Sequence, residues 1–247
     1  MYLTVRAIVL RVTDYNDRDA LLTVLSSTHG KLTIKARGLR RKNSPLIAPC
    51  QLLAYGEFTL FEYRGTYTVN EAHAIELFQN LRRNLNHLSL GTYFAQVAEV
   101  ISQEDLPNPD LLALLLNSLY ALSKLSLPEQ QVKAAFEMRV ACLAGYEPDL
   151  TACPNCADQN PDRFDLSEGH LQCQKCSVGD HSGIRMPINA GILQALRYLC
   201  ACDSKKLFSF SLGQENMEKL ATLTEAYLTT QLERGFSTLD FYKSLLI

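Results

Sequence analysis

The spacing of hydrophobic residues changes once along this chain, near residue 80, and the change separates two kinds of structure. Before it, apolar and polar residues alternate in short segments, with turn residues such as His29-Gly30 and Arg64-Gly65 between them. Alternation with a period of two is typical of β-strands that bury one face. After it, apolar residues recur every three or four positions, which is typical of amphipathic α-helices. The sequence therefore predicts an α+β protein whose strands precede its helices.

Five strands are predicted in the first 76 residues, with one longer loop near residues 37–49. Five short strands joined by tight turns fit a small closed barrel, and the OB-fold is the usual barrel of that strand number. An SH3-like barrel remains an alternative, because strand order cannot be read from one sequence. We therefore predict an OB-fold β-barrel domain over residues 1–79.

The predicted helical domain covers residues 80–247 and is interrupted by a cysteine-rich insertion at about residues 150–186. Asn108-Pro109 is a helix-start signal, since Asn caps a helix and Pro suits its first position. Another helix is predicted between Pro128 and Gly145, which is a typical C-terminal residue. The insertion itself has no helical periodicity.

The apolar segments are too short for a membrane span. The longest uninterrupted run, Leu111 to Leu116, is far below the roughly 20 residues that cross a bilayer. Arg6 and Arg11 interrupt the apolar N-terminus, where a signal peptide needs a continuous hydrophobic stretch. We expect a cytoplasmic protein without a membrane partner.

Four cysteines in the insertion form two Cys-x2-Cys pairs, Cys153 with Cys156 and Cys173 with Cys176, separated by 16 residues. Each pair can offer two thiolates to one tetrahedral ion, and the spacing is typical of four-cysteine zinc sites. Four protein ligands leave no position for water. We therefore predict one structural Zn²⁺ per chain, in a zinc-finger insertion.

Two other interpretations of the cysteines stay open: an empty pair of knuckles, and disulfides, although reducing conditions in the cytoplasm disfavour these. His170 and His181 flank the cysteines, and either could replace one of them as a ligand. The remaining cysteines are predicted to be small hydrophobic core residues. They are Cys50, Cys142, Cys200 and Cys202.

The formal net charge of −2 conceals a basic N-terminal part: residues 1–83 carry +5 and the rest −7. No acidic residue occurs between Asp19 and Glu57, and the basic segment (residues 35–45) contains Gly and Pro, which indicate a loop. Cations on a loop neutralise phosphates without reading base sequence. We predict nucleic-acid contacts through Lys31, Lys35, Arg37, Arg40, Arg41, Lys42 and Arg64.

Aromatic residues near the basic segment offer faces on which unpaired bases can stack. The candidates are Tyr55, Phe58, Tyr63 and Tyr67. Alternating aromatic residues in a strand are more often half core and half surface, so each of the four has that alternative role. A basic segment that is merely solvated is the corresponding alternative for the cations.

No catalytic motif is found for phosphate-loop, dinucleotide-binding, metalloprotease or nucleophile-elbow chemistry. Asp14, Asp17 and Asp19 lie close in sequence, but Arg11 and Arg18 lie among them. This pattern favours a turn surface over a two-metal site. We expect a protein that is not an enzyme.

Three parts of the chain share their pattern with one family: the first combines residues 15–22 with residues 30–44, the second runs over residues 136–150 into Cys153, and the third is residues 242–246. Together they resemble the RecO family of bacterial DNA repair proteins. They occur in the family's order and span nearly the whole chain. One departure is Glu168-Gly169-His170, where the family often has a glycine pair before its third cysteine.

The resemblance implies an OB-fold followed by a helical, zinc-containing domain. It also implies a nucleoid-associated recombination mediator that binds single- and double-stranded DNA and anneals complementary strands. Such a protein works with RecR and with the single-stranded-DNA-binding protein to help load RecA. Annealing and the named partners follow from the resemblance alone.

The acidic C-terminal tail of the single-stranded-DNA-binding protein needs a hydrophobic groove with a few cations at its rim. The helix at 129–144 offers both, and we predict docking through Lys133, Phe136 and Arg139. The alternative is that the apolar residues of this helix are simply core.

A different function is also open, namely a zinc-ribbon protein–protein adaptor without direct DNA contact. A nuclease or hydrolase would need a cluster of carboxylates or histidines that the sequence does not assemble.

Overall fold

A closed barrel of five strands forms the N-terminal part of the computed structural model, which describes residues 1–125, 127–177 and 183–246. The strands are β1 (Tyr2–Asp14), β2 (Ala20–Ser26), β3 (Gly30–Ala36), β4 (Tyr55–Tyr63) and β5 (Thr66–Glu76). Their order around the barrel is β1-β2-β3-β5-β4, with β3 parallel to β5 and the other neighbours antiparallel. This OB-like barrel confirms the predicted fold class.

The middle of strand β1, from Ala7 to Leu10, is buried on both of its faces. Val5 and Val9 contribute to the core inside the barrel, as the period of two predicts. Ile8 and Leu10 point to the other side and are also buried, because helix α1 (Leu85–Ile101) packs on β1. The barrel and the helix that follows it therefore share this strand as a common layer.

Helices α1 and α2 (Pro109–Lys124) begin at asparagine caps. The side chain of Asn84 accepts a hydrogen bond from the backbone N–H of His87, and Asn108 accepts one from Leu111. Each bond satisfies a backbone donor that has no partner within its helix. The helix start predicted at Asn108-Pro109 is confirmed.

The last helix, α6 (Ser237–Ser244), returns to α1. Just before it, the ring of Phe236 lies edge-on to Tyr93 of α1, with centroids 5.5 Å apart. Both rings are buried, so this contact belongs to the core beside the barrel. Thr238 also donates a hydrogen bond to the side chain of Gln96.

A second group of elements lies between α2 and α6 in the sequence. Its helices are α3 (Glu129–Leu143), α4 (Ala190–Ala201) and α5 (Gln214–Gln231), and its short strands are β6 (Arg163–Asp165), β7 (His170–Gln172) and β8 (Arg185–Pro187). The strands form one sheet in the order β7-β6-β8. Helix α3 packs against both α4 and α5. The helix predicted between Pro128 and Gly145 is thus present.

Contacts between residues divide the chain into two compact units. Unit 1 comprises Met1–Ser126 and Phe236–Ile247, and unit 2 comprises Leu127–Gly235. This division follows packing, whereas the predicted boundary between residues 79 and 80 follows the change from strands to helices. The domain limits 1–79, 80–247 and 150–186 stay predictions.

In the part of the chain that the structure describes, no helix combines the length and apolar character needed to cross a membrane.

Two glycines at hairpin turns have positive φ angles but different surroundings. Gly30, between β2 and β3, has φ +62°, and a Cβ built there would lie 2.2 Å from the carbonyl oxygen of Leu106. Gly65, between β4 and β5, has φ +74° and nothing within 4 Å of a built Cβ. The backbone N–H of Lys31 also donates to the carbonyl of Gln103 at 3.1 Å, which holds the two segments together.

We expect Gly30→Ala to destabilise the protein more than Gly65→Ala. The second substitution costs only the left-handed conformation, about 1–2 kcal/mol, whereas the first also forces the backbone near Leu106 to move. Urea unfolding of both variants measures the difference in the free energy of unfolding. Equal losses would show that the close approach has no energetic role.

Candidate metal centre and nucleic-acid interface

The four cysteines of the two Cys-x2-Cys pairs come together in unit 2, and we call them the cysteine quartet. Their Sγ atoms all lie within 4.8 Å of one another, and those of Cys156 and Cys173 are 3.6 Å apart. A tetrahedral ion with metal–sulfur bonds of about 2.3 Å places its ligand sulfurs about 3.8 Å apart. The arrangement fits one tetrahedral metal ion.

The segment between the two pairs explains why they meet. Residues 163–172 form the antiparallel hairpin of β6 and β7, which brings Cys156 and Cys173 to the same end. Phe164 of this hairpin is fully buried and lies edge-on to the ring of Tyr227 on α5, with centroids 5.1 Å apart. The aromatic contact anchors the hairpin to a helix of unit 2.

The thiols of the quartet differ in acidity. Burial disfavours the Cys153 thiolate, but backbone hydrogen bonds, including those from Asn155 and Cys156, lower its pKa to about 6. The hydrogen bond with Cys156, together with burial, raises the pKa of Cys176 to about 11. Several thiolates this close repel one another unless a divalent ion compensates their charge.

Disulfides and histidine ligands are the alternatives for the quartet. All eight cysteines are free, so no disulfide joins them. Among the described residues, the group that could hold a metal contains the four cysteines and no histidine. His170 lies on β7 outside that group, and His181 lies outside the described residues.

The predicted nucleic-acid-binding cations lie on β3, in the basic segment after it and at the β4–β5 turn. They differ in their contacts. Lys31 donates to the carbonyl oxygen of Glu99 at 3.1 Å. Lys35 lies 3.4 Å from a carboxylate oxygen of Asp19, and Arg40 is paired with Asp14. These three side chains already have partners within unit 1.

Arg37, Arg41 and Lys42 are exposed, and no ion pair is found for them within the described residues. They lie on the basic segment between β3 and β4, where the sequence predicts a loop. Exposed cations without a protein carboxylate partner are free to bind external anions. These three residues of the basic segment are available as phosphate ligands.

Asp19 anchors the basic segment, a role that the sequence analysis missed. Its carboxylate accepts a hydrogen bond from the backbone N–H of Gly38 at 2.8 Å, and this bond lowers its pKa. Lys35 and Asn16 act in the same direction. Asp19 therefore fixes the start of the basic segment.

A cleft of about 410 Å³ opens beside the basic segment, and we call it the aromatic cleft. Its lining residues combine two cations, two aromatic rings and two hydroxyl groups: Arg37, Phe61, Tyr63, Arg64, Thr66 and Thr68. The Arg64 guanidinium lies over the Tyr63 ring, 5.2 Å from its centroid. The cleft thus presents positive charge next to an exposed π-face.

The predicted aromatic platforms divide according to burial. Phe58 is completely buried in the barrel core, and Tyr55 and Tyr67 are half-buried, whereas Tyr63 is 60% exposed. Phe61 was not among the predicted platforms, although it is on the same outer face of β4 as Tyr63. The period of two along β4 is the signal that could have identified it.

A third aromatic side chain extends this exposed surface. Tyr2 of β1 lies against Phe61 with ring centroids 5.3 Å apart, and it is 63% exposed. Large exposed aromatic side chains in neighbouring strands mark interaction sites in soluble proteins.

The docking groove predicted on helix 129–144 needs a correction. Lys133 and Phe136 are buried inside unit 2, at 4% and 0% exposure. The Lys133 ammonium lies 2.9 Å from Glu137 and 2.7 Å from Glu225 of α5, so its charge is neutralised internally. The face is covered by α5 and offers a partner no groove there.

Arg139, the third residue of that prediction, is half-buried and holds helix α4. Its guanidinium donates to the carbonyl oxygens of Leu199 and Cys202, at 3.1 and 2.7 Å. These are backbone acceptors at the C-terminal end of α4, which lack partners within the helix. Arg139 therefore has a structural contact in unit 2.

Comparison with known proteins gives a consistent result over the whole chain. The family model described as "Recombination protein O N terminal" matches residues 1–78, and "Recombination protein O C terminal" matches residues 82–240. DNA repair protein RecO of Acetivibrio thermocellus is 32% identical over 246 residues, which cover 99% of this chain and 97% of that protein. RecO of Alkaliphilus metalliredigens is 30% identical, with 99% and 100% covered. RecO of Bacillus subtilis is 28% identical, with 89% and 86% covered.

We expect Cys156→Ser to lose most of the bound metal, because one of four thiolate ligands is replaced by a hydroxyl. Elemental analysis of protein purified without chelator should give about one ion per unmodified chain. Cys202→Ser is the matched control, because Cys202 lies outside the quartet. Equal metal content in both variants, or no metal in the unmodified protein, would contradict the assignment.

Proposed function

The chain belongs to the RecO family of DNA repair proteins, and from this membership we propose a recombination mediator without catalytic activity of its own. It binds single- and double-stranded DNA, anneals complementary strands, and helps load RecA onto DNA coated by the single-stranded-DNA-binding protein. The observation that carries the proposal is the pairing of unpartnered cations, Arg37, Arg41 and Lys42, with the aromatic cleft.

The phosphate backbone is bound first by these three cations. Each one that neutralises a phosphate releases counterions, which favours binding irrespective of base sequence. Arg37 belongs both to the basic segment and to the aromatic cleft, so a strand that follows the cations is led to the exposed rings. Arg64 contributes at the far side of the cleft. Lys31, Lys35 and Arg40 add positive potential, and the contacts of Lys35 and Arg40 hold the segment in place.

Unpaired bases then stack on the outer face of β1 and β4. Tyr63, Phe61 and Tyr2 offer π-faces at adjoining positions, and stacking of this kind accepts every base. A base held by its face keeps its Watson–Crick edge accessible. This arrangement suits annealing, because a second strand can pair with bases that the protein presents.

The ion in the cysteine quartet is Zn²⁺, one per chain. Four thiolate ligands favour a soft or borderline ion, and a closed tetrahedral shell leaves no position for a reacting water. Its role is structural: it holds the ends of the β6–β7 hairpin in unit 2. Metal binding and folding of this segment are therefore coupled.

The partners RecR and the single-stranded-DNA-binding protein are proposed from family membership. The acidic tail of the latter docks on the helical domain, outside the buried face of α3 that carries Lys133 and Phe136. A cytoplasmic, nucleoid-associated location follows from these partners.

Neutralising the three unpartnered cations should weaken DNA binding at every sequence. We expect the triple variant Arg37→Gln, Arg41→Gln and Lys42→Gln to flatten the salt dependence for a single strand by about 2 slope units, because each lost phosphate contact removes about 0.7. A fluorescence-anisotropy titration at several salt concentrations measures both affinity and slope.

The matched control for this variant removes three cations of unit 2, through Lys205→Gln, Lys206→Gln and Lys219→Gln. It changes the net charge equally but leaves the basic segment intact. If both triple variants bind DNA equally well, the basic segment is only a solvated loop, and a zinc-ribbon adaptor becomes the better description.

Removal of the stacking platform should act on single strands alone. We expect Tyr63→Ala to weaken single-strand binding by about 1–3 kcal/mol without changing the salt slope, because stacking involves no counterion release. Duplex binding should stay unchanged, since paired bases are not available to the ring. Tyr120→Ala, which removes an exposed tyrosine from α2, is the control. Equal losses for duplex and single strand would contradict the stacking role.

A further inference from the structure

Two cysteines outside the quartet form a close pair in unit 2. The Sγ atoms of Cys142, at the end of α3, and Cys200, at the end of α4, are 3.8 Å apart. Both are predicted from the sequence to be small core residues, yet each is only half-buried. The pair is therefore accessible to small reagents.

The backbone around the pair is held in place by Arg139, one turn before Cys142 on α3. Its guanidinium donates to the carbonyl oxygens of Leu199 and Cys202, on either side of Cys200. This fixes the C-terminal end of α4 against α3. The contact between the two thiols thus results from helix packing rather than from the conformation of a loop.

The two thiols differ in acidity. The hydrogen bond with Cys200 lowers the pKa of Cys142 although partial burial opposes it, and the charge of Arg139 acts in the same direction as the bond. Glu147 opposes the ionisation. The same hydrogen bond, together with burial, raises the pKa of Cys200. Cys142 is therefore the thiol that ionises first.

We propose that Cys142 and Cys200 are an oxidation site, which a hydroperoxide converts into a disulfide between α3 and α4. The Cys142 thiolate attacks one oxygen of the hydroperoxide, an S–O bond forms, the O–O bond breaks, and the leaving oxygen takes up a proton. Cys200 then attacks the sulfur of the resulting sulfenic acid. The S–S bond forms, the S–O bond breaks, and the departing hydroxide is protonated to water. Two thiols are oxidised, and the hydroperoxide is reduced by two electrons.

The position of the bond has a consequence for the metal centre. Cys142 and Cys200 are 58 residues apart, and all four cysteines of the quartet lie between them. A disulfide would join the two ends of the segment that carries the metal. Because it closes the chain into a loop, the disulfide would keep the two ends of this segment together when the ion is absent.

Two other cysteines, Cys202 and Cys50, have different surroundings from the pair and serve as controls. Cys202 contacts the Arg139 guanidinium at 3.2 Å rather than a second thiol. Cys50 lies alone in the barrel core, where burial raises its pKa to about 12. Neither has the close thiol partner that the proposal requires.

The test treats the full-length, metal-loaded protein with hydrogen peroxide and maps its cysteines by mass spectrometry. A protease that cuts after Asp and Glu is needed, because cleavage after Glu137 and Asp149 separates Cys142 from Cys153. The Cys202→Ser background is used, since Cys200 and Cys202 share a peptide. We expect the peptides 138–149 and 181–203 to be linked, with a mass about 2 Da below their sum.

A second variant tests the order of the two steps. In Cys200→Ser with Cys202→Ser, the link should be absent, and dimedone should trap Cys142 as sulfenic acid. In Cys142→Ser with Cys202→Ser, residue 200 should stay unlabelled. Free Cys142 and Cys200 at a peroxide concentration that oxidises the quartet would overturn the proposal, as would a link from Cys142 to the quartet.

Discussion

The burial of the middle of strand β1, Ala7 to Leu10, on both faces is the constraint on which unit 1 depends. Its inner residues, such as Val5 and Val9, close the barrel core, while Ile8 and Leu10 on the outer face are covered by α1. Because side chains alternate along a strand, a slip of one residue would exchange these two sets. The same strand pairs with both β2 and β4, so its register fixes the positions of the residues that follow them. The basic segment and the aromatic cleft are attached to this frame.

The candidate DNA-binding surface depends on a second, local constraint, which is electrostatic. The Asp19 carboxylate accepts a hydrogen bond from the backbone N–H of Gly38 and pairs with Lys35, at the start of the basic segment. Beyond the fixed backbone at Gly38, Arg40 pairs with Asp14 of the barrel, whereas Arg41 and Lys42 are exposed. Positive charge is thereby concentrated without internal neutralisation at Arg37, Arg41 and Lys42. A segment whose backbone is already fixed loses less conformational entropy when a ligand binds to its cations.

Much of this architecture could be predicted because it is encoded locally. The strands, the cap at Asn108 and the pairing of four cysteines each follow from short-range patterns. Long-range pairing could not be predicted in the same way. The amphipathic pattern of α3 does not reveal which element covers it, and one of the two acids that neutralise Lys133, Glu225, is 92 residues away. The outer burial of Ile8 has the same origin, because α1 supplies the cover from another part of the chain.

Unit 1 is discontinuous in sequence, since Leu127–Gly235 intervenes between α2 and the segment that carries α6. A ribosome therefore completes unit 2 before it has synthesised the helix that packs on α1. During that interval the nascent chain holds Tyr93 without the Phe236 ring that finally lies beside it. The last step in assembling the barrel-containing unit comes after all residues of unit 2 have left the peptidyl-transferase centre. A premature stop codon just before α6 would leave unit 2 with its full sequence. It would remove α6 from unit 1, although unit 1 begins more than two hundred residues upstream.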